Sequence, residues 1–279
     1  MHSYGTSDFV TTGDGRRLHY MARGEGGPTV VFVSGMGFSR STWGLVHPTV
    51  AQRVRAVVYD RAGTGRSDDD AQPRTLARLA GDLATLLRAL GSGPFVLVGH
   101  SWGGPIARVA AALDPGRVHG LVLVDQSDEN CAEYFGAGAR RRDAMARLLI
   151  PALARTGLYR RLASGLGGGQ PADIAADHRA EDFTVRAAKT LLAEQDCFGD
   201  GLRELRDRPL GLDGLPLSVI SGTRIPRLDG GKRHALITAH RHTAATSSRG
   251  RWVAAERSGH LVMFSEPEVV VAEILRMIA

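Results

Sequence analysis

The chain is predicted to adopt an α/β fold with a mostly parallel sheet. Three observations carry this. Short Val-rich apolar runs recur along the chain, segments with helical spacing separate them, and the runs are continuous rather than alternating. Continuous apolar runs mark strands buried on both faces, and strands alternating with helices mark parallel connections.

The elements follow in order. Residues 8–11 and 17–21 flank Gly13-Asp14-Gly15, the pattern of a hairpin, so the sheet is expected to begin antiparallel. Val-rich runs then lie at 29–33, 55–59, 95–98 and 120–124, with later ones at 217–220 and 251–254. Leu76, Leu79, Leu83, Leu86, Leu87 and Leu90 recur at helix spacing, with Thr75 as N-cap and Gly91 as stop. Ser265-Glu266-Pro267-Glu268 reads as a capping box that opens a last helix carrying Val269, Val270, Ile274, Leu275 and Ile278.

The alternation breaks between about 128 and 212. That stretch favours helix, is punctuated by Pro151, Gly157, 165–169 and Pro171, and is too long for a loop. It reads as a helical lid, dividing the chain into core (1–127), cap (128–212) and core (213–279).

Composition narrows the function classes. With 279 residues the chain can bury a core without metal or disulfide staples. No apolar run reaches the 18 or so residues of a membrane span, and the first residues lack a signal-peptide pattern, so a cytoplasmic protein without membrane partners is expected. The net charge is +6, but basic residues are scattered among acids, and even Arg140-Arg141-Arg142 runs straight into Asp143. No contiguous patch argues for nucleic acid. Cys131 and Cys197 allow at most a single bridge and match no zinc spacing, and no metal site is expected. His234, His240 and His242 read as a solvated helix face.

The sharpest local signal is Gly99-His100-Ser101-Trp102-Gly103-Gly104, between an apolar run and a helical segment. That is the strand–turn–helix setting a G-x-S-x-G nucleophile elbow needs. The turn is so tight that the residues two before and two after the serine must lack side chains. Ser101 is thereby lifted above the sheet edge, with the Trp102 N–H at a helix start. Ser34-Gly35-Met36-Gly37 follows an earlier run, Asp60-Arg61-Ala62-Gly63-Thr64-Gly65-Arg66-Ser67 follows the next, and Ser258-Gly259-His260 precedes the last helix.

In the order and spacing of these four segments the chain resembles the α/β-hydrolase superfamily over nearly its whole length outside the lid. The resemblance implies an eight-stranded sheet flanked by helices, Ser-His-acid catalysis and no organic cofactor. It implies His260 as the base, and the backbone N–H groups of Met36 and Trp102 as the oxyanion hole. Ser34 stands where the family usually has a His that braces the oxyanion loop. His100, beside the nucleophile, is expected to face the scaffold.

The acid requires a choice. Many members carry an Asp just before the position of Pro226, but Ile225 stands there, and an isoleucine cannot orient an imidazole. Asp125 ends the 118–124 run on the same sheet edge, where some members draw their acid. It is the preferred candidate, with Asp229 and Asp128 as alternatives.

A serine nucleophile points to a small-molecule ester, thioester or lactone, cleaved through an acyl-enzyme. The pocket is expected to be apolar, drawing on Phe38, Trp43, Trp102, Met263 and lid residues such as Leu148, Leu149 and Phe183. Trp102 in the elbow also resembles proline iminopeptidases, whose lid acids bind an amine, a role open to Glu129, Glu133 and Glu181. A lyase or cyclase on the same fold, and a non-catalytic binding relative, are the other readings.

Overall fold

The computed structural model describes residues 1–163, 165–225 and 230–279. Strands β1 (Thr6–Thr11) and β2 (Arg17–Arg23) form the expected antiparallel hairpin. β3 (Thr29–Val33) follows, then the single turn α1 (His47–Val50), β4 (Ala56–Tyr59), α2 (Leu76–Leu90), β5 (Phe95–His100), α3 (Gly103–Leu113) and β6 (Val118–Val124). Between β6 and the next strand, the described residues hold helices only: α4 (Ala137–Arg155), α5 (Leu158–Ala163), α6 (Ala172–Glu181), α7 (Val185–Asp207) and a short 3-10 turn at Ala132–Tyr134. β7 (Leu217–Gly222), α8 (Gly230–Ala245), β8 (Gly250–Ala255), α9 (Val262–Ser265) and α10 (Pro267–Ile278) complete the chain.

The eight strands form one sheet in the order β1-β2-β4-β3-β5-β6-β7-β8. β2 meets β4 antiparallel, and every pair from β4 onward is parallel. The continuous apolar runs are buried on both faces, as their pattern required. Val31, Val57 and Leu97 pack against Leu79, Leu83 and Ile106 of α2 and α3. Val30, Phe32, Val58 and Val96 pack on the other face against Val50, Val270 and Ile274. Each such fully buried aliphatic side chain contributes about 2 kcal/mol of transfer free energy.

Helix α2 starts and stops as read: the Thr75 side chain accepts from the Arg78 N–H, and Gly91 ends it at φ 125°. Helix α10 does not use the expected capping box. The Ser265 hydroxyl donates to the Leu261 carbonyl, and the Glu266 carboxylate is taken by the Arg257 N–H and the Ser258 hydroxyl. Glu266 therefore ties down the loop before His260 rather than the helix start. Cys131 and Cys197 are free thiols, so no bridge joins them.

The helices after β6 are held to the sheet by buried charge. Arg40, fully buried, pairs with Asp60 of the core and with Asp177 and Glu181 of α6. Arg61 and Arg74 both pair with the buried Glu194 of α7. Pairs like these contribute little net stability once desolvation is charged against them, but removing one partner strands the other's charge in the interior.

Candidate active site

Ser101 follows β5 immediately, and its φ is +52°, a left-handed conformation that costs a non-glycine residue energy. The surrounding turn over-determines it. The Ser101 N–H donates to the Val124 carbonyl, while the Ser127 and Gly104 N–H groups donate to the Ser101 carbonyl. A Cβ on Gly99 would lie 2.5 Å from the Gly103 carbonyl oxygen, and one on Gly103 would lie 2.2 Å from that of Val33. The turn closes only because both positions are glycine.

Asp125 occupies the equivalent place on the neighbouring strand. His100 of β5 pairs with Val124 of β6, so Ser101 and Asp125 are the next residues on adjacent strands. Asp125 too has a positive φ, +42°, and its N–H donates to the Ile220 carbonyl. His260 lies on the loop between β8 and α9, at the same sheet edge.

These three side chains form a chain. His260 Nε2 is 3.1 Å from Ser101 Oγ, and His260 Nδ1 is 2.7 Å from Asp125 Oδ2. Asp125 is fully buried, and its Oδ1 accepts from the Gly222 N–H at 2.9 Å and from Arg233 at 2.7 Å. Burial pushes its pKa up. The hydrogen bond to His260 and the Coulomb influence of His260, His240 and Arg233 outweigh burial and hold the carboxyl well below the usual carboxylate range. Asp125 is therefore an anion at neutral pH, able to fix an imidazole tautomer.

The other candidates fall elsewhere. Asp128 is buried in its own network with Thr243, Gln126 and Asn130. Asp229 lies outside the described residues. His100 is buried, its Nε2 donates to the His260 carbonyl (3.1 Å), and burial lowers its pKa to about 3, so it is a neutral scaffold group. His234 and His242 are exposed, as expected of a solvated face, but His240 is not. It is fully buried, with Nδ1 2.8 Å from Ser221 Oγ and Nε2 2.7 Å from the Gln126 carbonyl. Helix α8 presses this position onto β7, and a buried imidazole bonded at both nitrogens is tolerated there.

The 34–37 loop bends over Ser101. Ser34 does not brace it through an imidazole; its hydroxyl donates to the Ser39 carbonyl and accepts from Trp43 Nε1. The brace is Arg61. Its guanidinium donates to the carbonyls of Ser34 (2.5 Å) and Gly35 (2.7 Å) while Glu194 of α7 holds its other edge at 2.9–3.0 Å. Sequence reasoning left Arg61 inside a turn motif, because nothing in it links positions 61 and 194. Met36, next in the loop, faces the same cavity as Ser101, and Trp102 N lies at the start of the 11-residue α3. The Trp102 ring is buried and packs 4.9 Å from Phe198 of α7.

A cavity of about 540 Å³ opens over Ser101 and His260. Its described lining includes Met36, Tyr134, Phe135, Leu191 and Phe198, together with several cations. The expected pocket residues are placed differently. Trp43 and Met263 are fully buried in the core on the opposite face of the sheet. Phe38 packs edge-on against Phe183, and Leu148 and Leu149 point outward from α4. Apolar character alone did not separate core from pocket at these positions. The three lid acids are also absent from the described lining. Glu129 pairs with Arg108, Glu181 with Arg40 and Arg66, and Glu133 is exposed. Among the described residues no cluster of His, Cys, Asp and Glu could hold a metal ion, and no helix is long and apolar enough to cross a membrane.

Comparison with known proteins agrees with this architecture. The model of the alpha/beta hydrolase family matches residues 30–273. The uncharacterized protein YqjL of Bacillus subtilis (strain 168) is 26% identical over 260 residues, covering 92% of this chain and 86% of that protein. A hydrolase from Pseudomonas aeruginosa PA01 superposes with a TM-score of 0.71 at 23% identity, covering 98% of both chains. A thermophilic esterase from Thermogutta terrifontis superposes with a TM-score of 0.70 at 21% identity, covering 98% of this chain and 97% of that one. At these identities the two structures share a fold with this chain.

Proposed function

The chain belongs to the alpha/beta hydrolase family, and from that premise we propose that it hydrolyses a carboxylic ester, thioester or lactone of a small molecule through an acyl-enzyme on Ser101. The observation that carries this is the continuous hydrogen-bonded line from Ser101 Oγ through His260 to Asp125, at 3.1 and 2.7 Å.

In this mechanism Ser101 Oγ attacks the substrate carbonyl carbon while His260 Nε2 takes its proton. Asp125 accepts from His260 Nδ1, holding the tautomer and stabilising the imidazolium. The N–H groups of Met36 and Trp102 stabilise the tetrahedral oxyanion, where each donor is typically worth about 10²–10³ in rate. His260 then protonates the leaving oxygen or sulfur, and the acyl-serine forms. Water enters, gives its proton to His260, and attacks the acyl carbon. Collapse returns the proton to Ser101 Oγ and frees the acid. The positive φ of Ser101 supports this reading, since such strain is retained where it aims a reacting side chain.

The aminopeptidase reading is not favoured. It needs lid acids facing the nucleophile, and Glu129 and Glu181 are engaged by arginines elsewhere.

Turnover of p-nitrophenyl butyrate tests the proposal. The protein is expected to release p-nitrophenolate with saturation, Asp125→Asn to fall about 10⁴-fold in kcat, and Ser101→Ala to reach background. Undiminished turnover by Ser101→Ala overturns the mechanism.

A further inference from the structure

The cavity over Ser101 is lined by Arg140, Arg142, Arg203, Lys232 and Arg233, against a single described carboxylate, Asp143. Two of the four arginines have acids outside the lining. Arg233 pairs with Asp125, and Arg203 pairs with Asp200 at 2.6 Å. Among the described residues, Arg140 and Arg142 meet backbone carbonyls rather than acids. Arg140 donates to the Phe135 carbonyl at 3.4 Å and Arg142 to the Glu133 carbonyl at 3.3 Å. Backbone carbonyls hold a guanidinium in place without cancelling its charge. Asp143, which accepts from Gln195 at 2.7 Å, offsets at most one of these charges. Elsewhere in the molecule buried arginines meet carboxylates, as Arg40, Arg61 and Arg108 do. The cavity that contains the nucleophile thus carries an excess of positive charge along its described lining.

We infer that the substrate is an ester bearing an anionic group of the carboxylate class, which Arg140 and Arg142 at the start of α4 receive while Ser101 meets the ester carbonyl. A guanidinium offers a planar fork of donors matched to a carboxylate, and cations within a cleft raise the local concentration of anions. The apolar part of the substrate lies along Phe135, Leu191 and Phe198, which line the same cavity. The sequence hid this. The triple-arginine run reads as part of a scattered mixture of charges because Asp143 follows it, but one carboxylate does not offset the guanidiniums that line the cavity with it. This inference rests on the ester-hydrolase reading above.

The test uses matched esters. One pair places charge in the acyl group, the p-nitrophenyl monoester of adipate against p-nitrophenyl hexanoate. The other places it in the alcohol, 4-(hexanoyloxy)benzoate against phenyl hexanoate. At low salt, at least one anionic ester is expected to exceed its neutral partner in kcat/KM by about tenfold or more. That preference should collapse between about 0.01 M and about 1 M salt, as the screening length shrinks from about 30 Å to about 3 Å. The double variant Arg140→Gln/Arg142→Gln, altered at two exposed side chains, should lower the anionic-to-neutral ratio by a similar factor. Neutral esters cleaved as well as or better than both anionic ones, or a ratio indifferent to salt and to the double variant, overturns the inference and leaves the hydrolase reading intact. Should no ester turn over, phosphonylation of Ser101 by a fluorophosphonate decides. Protection by adipate but not by 1,6-hexanediol supports the inference, and equal or no protection overturns it. Absence of phosphonylation overturns the hydrolase reading, and the inference with it.

Discussion

Arg233 Nη1 donates to both carboxylate oxygens of Asp125, at 2.7 and 2.9 Å. The same nitrogen lies 3.2 Å from the Gly222 carbonyl, and the Gly222 N–H donates back to Asp125. The Asp125 carboxylate is thus held from α8 and β7 as well as by His260. Arg233→Met leaves a fully buried anion short of its cation and should lower unfolding stability by about 3 kcal/mol. The double variant Asp125→Asn/Arg233→Met should recover most of that loss. Urea denaturation of the four proteins of the cycle measures it. Additive losses would mean that the pair is energetically idle.

Arg61 joins the 34–37 loop to α7, holding the Ser34 and Gly35 carbonyls with one edge and Glu194 with the other. Losing it should misplace the Met36 N–H without emptying the cavity. Glu194→Gln is expected to lower kcat by roughly tenfold with KM nearly unchanged, and Arg61→Lys by up to about 100-fold, because an ammonium lacks the fork that spans two carbonyls. Steady-state kinetics separate the outcomes. A rise in KM at constant kcat would assign Arg61 to substrate binding instead.

Much of this site could be read before any coordinates. The Gly99–Gly104 turn has one three-dimensional solution, because the close approach of Gly99 to Gly103 excludes side chains. Asp125 is preferred over Asp229 and Asp128 because the resemblance offers that strand end as a second place for the acid and the 118–124 run ends one residue before it. Features that depend on contacts between distant segments were invisible. Arg233 lies 108 positions from Asp125 and Glu194 lies 133 from Arg61. His240 misled because its helix, rich in Ala and His, carries no strong apolar stripe to say which face meets the sheet. Trp43 and Met263 misled because a large apolar side chain serves core and pocket equally well, and only the sheet face it occupies decides.

Two buried imidazoles make stability depend on pH. Burial lowers His47 to about 4 and His100 to about 3, against about 6.5 in an unfolded chain. The unfolded state therefore binds more protons below pH 6.5, and stability is full above that pH and drains as pH falls toward 4. The two groups together give a slope of about 2–3 kcal/mol per pH unit near pH 5. Thermal unfolding between pH 7.5 and 4.5 should follow this, and His47→Gln, which can still donate to the Ala56 carbonyl, should roughly halve the slope. A melting temperature flat across that range contradicts neutral burial of these rings.

Phosphonylation of Ser101 tests the central claim most directly, since it needs the strained serine, its base and the oxyanion loop together and needs no knowledge of the substrate. The wild-type protein treated with a fluorophosphonate should gain the mass of one phosphonyl group, mapped by peptide mass spectrometry to Ser101. His260→Ala should react far more slowly and Ser101→Ala should remain unmodified. A wild-type chain that stays unmodified, or that carries the label at another residue, would contradict the account.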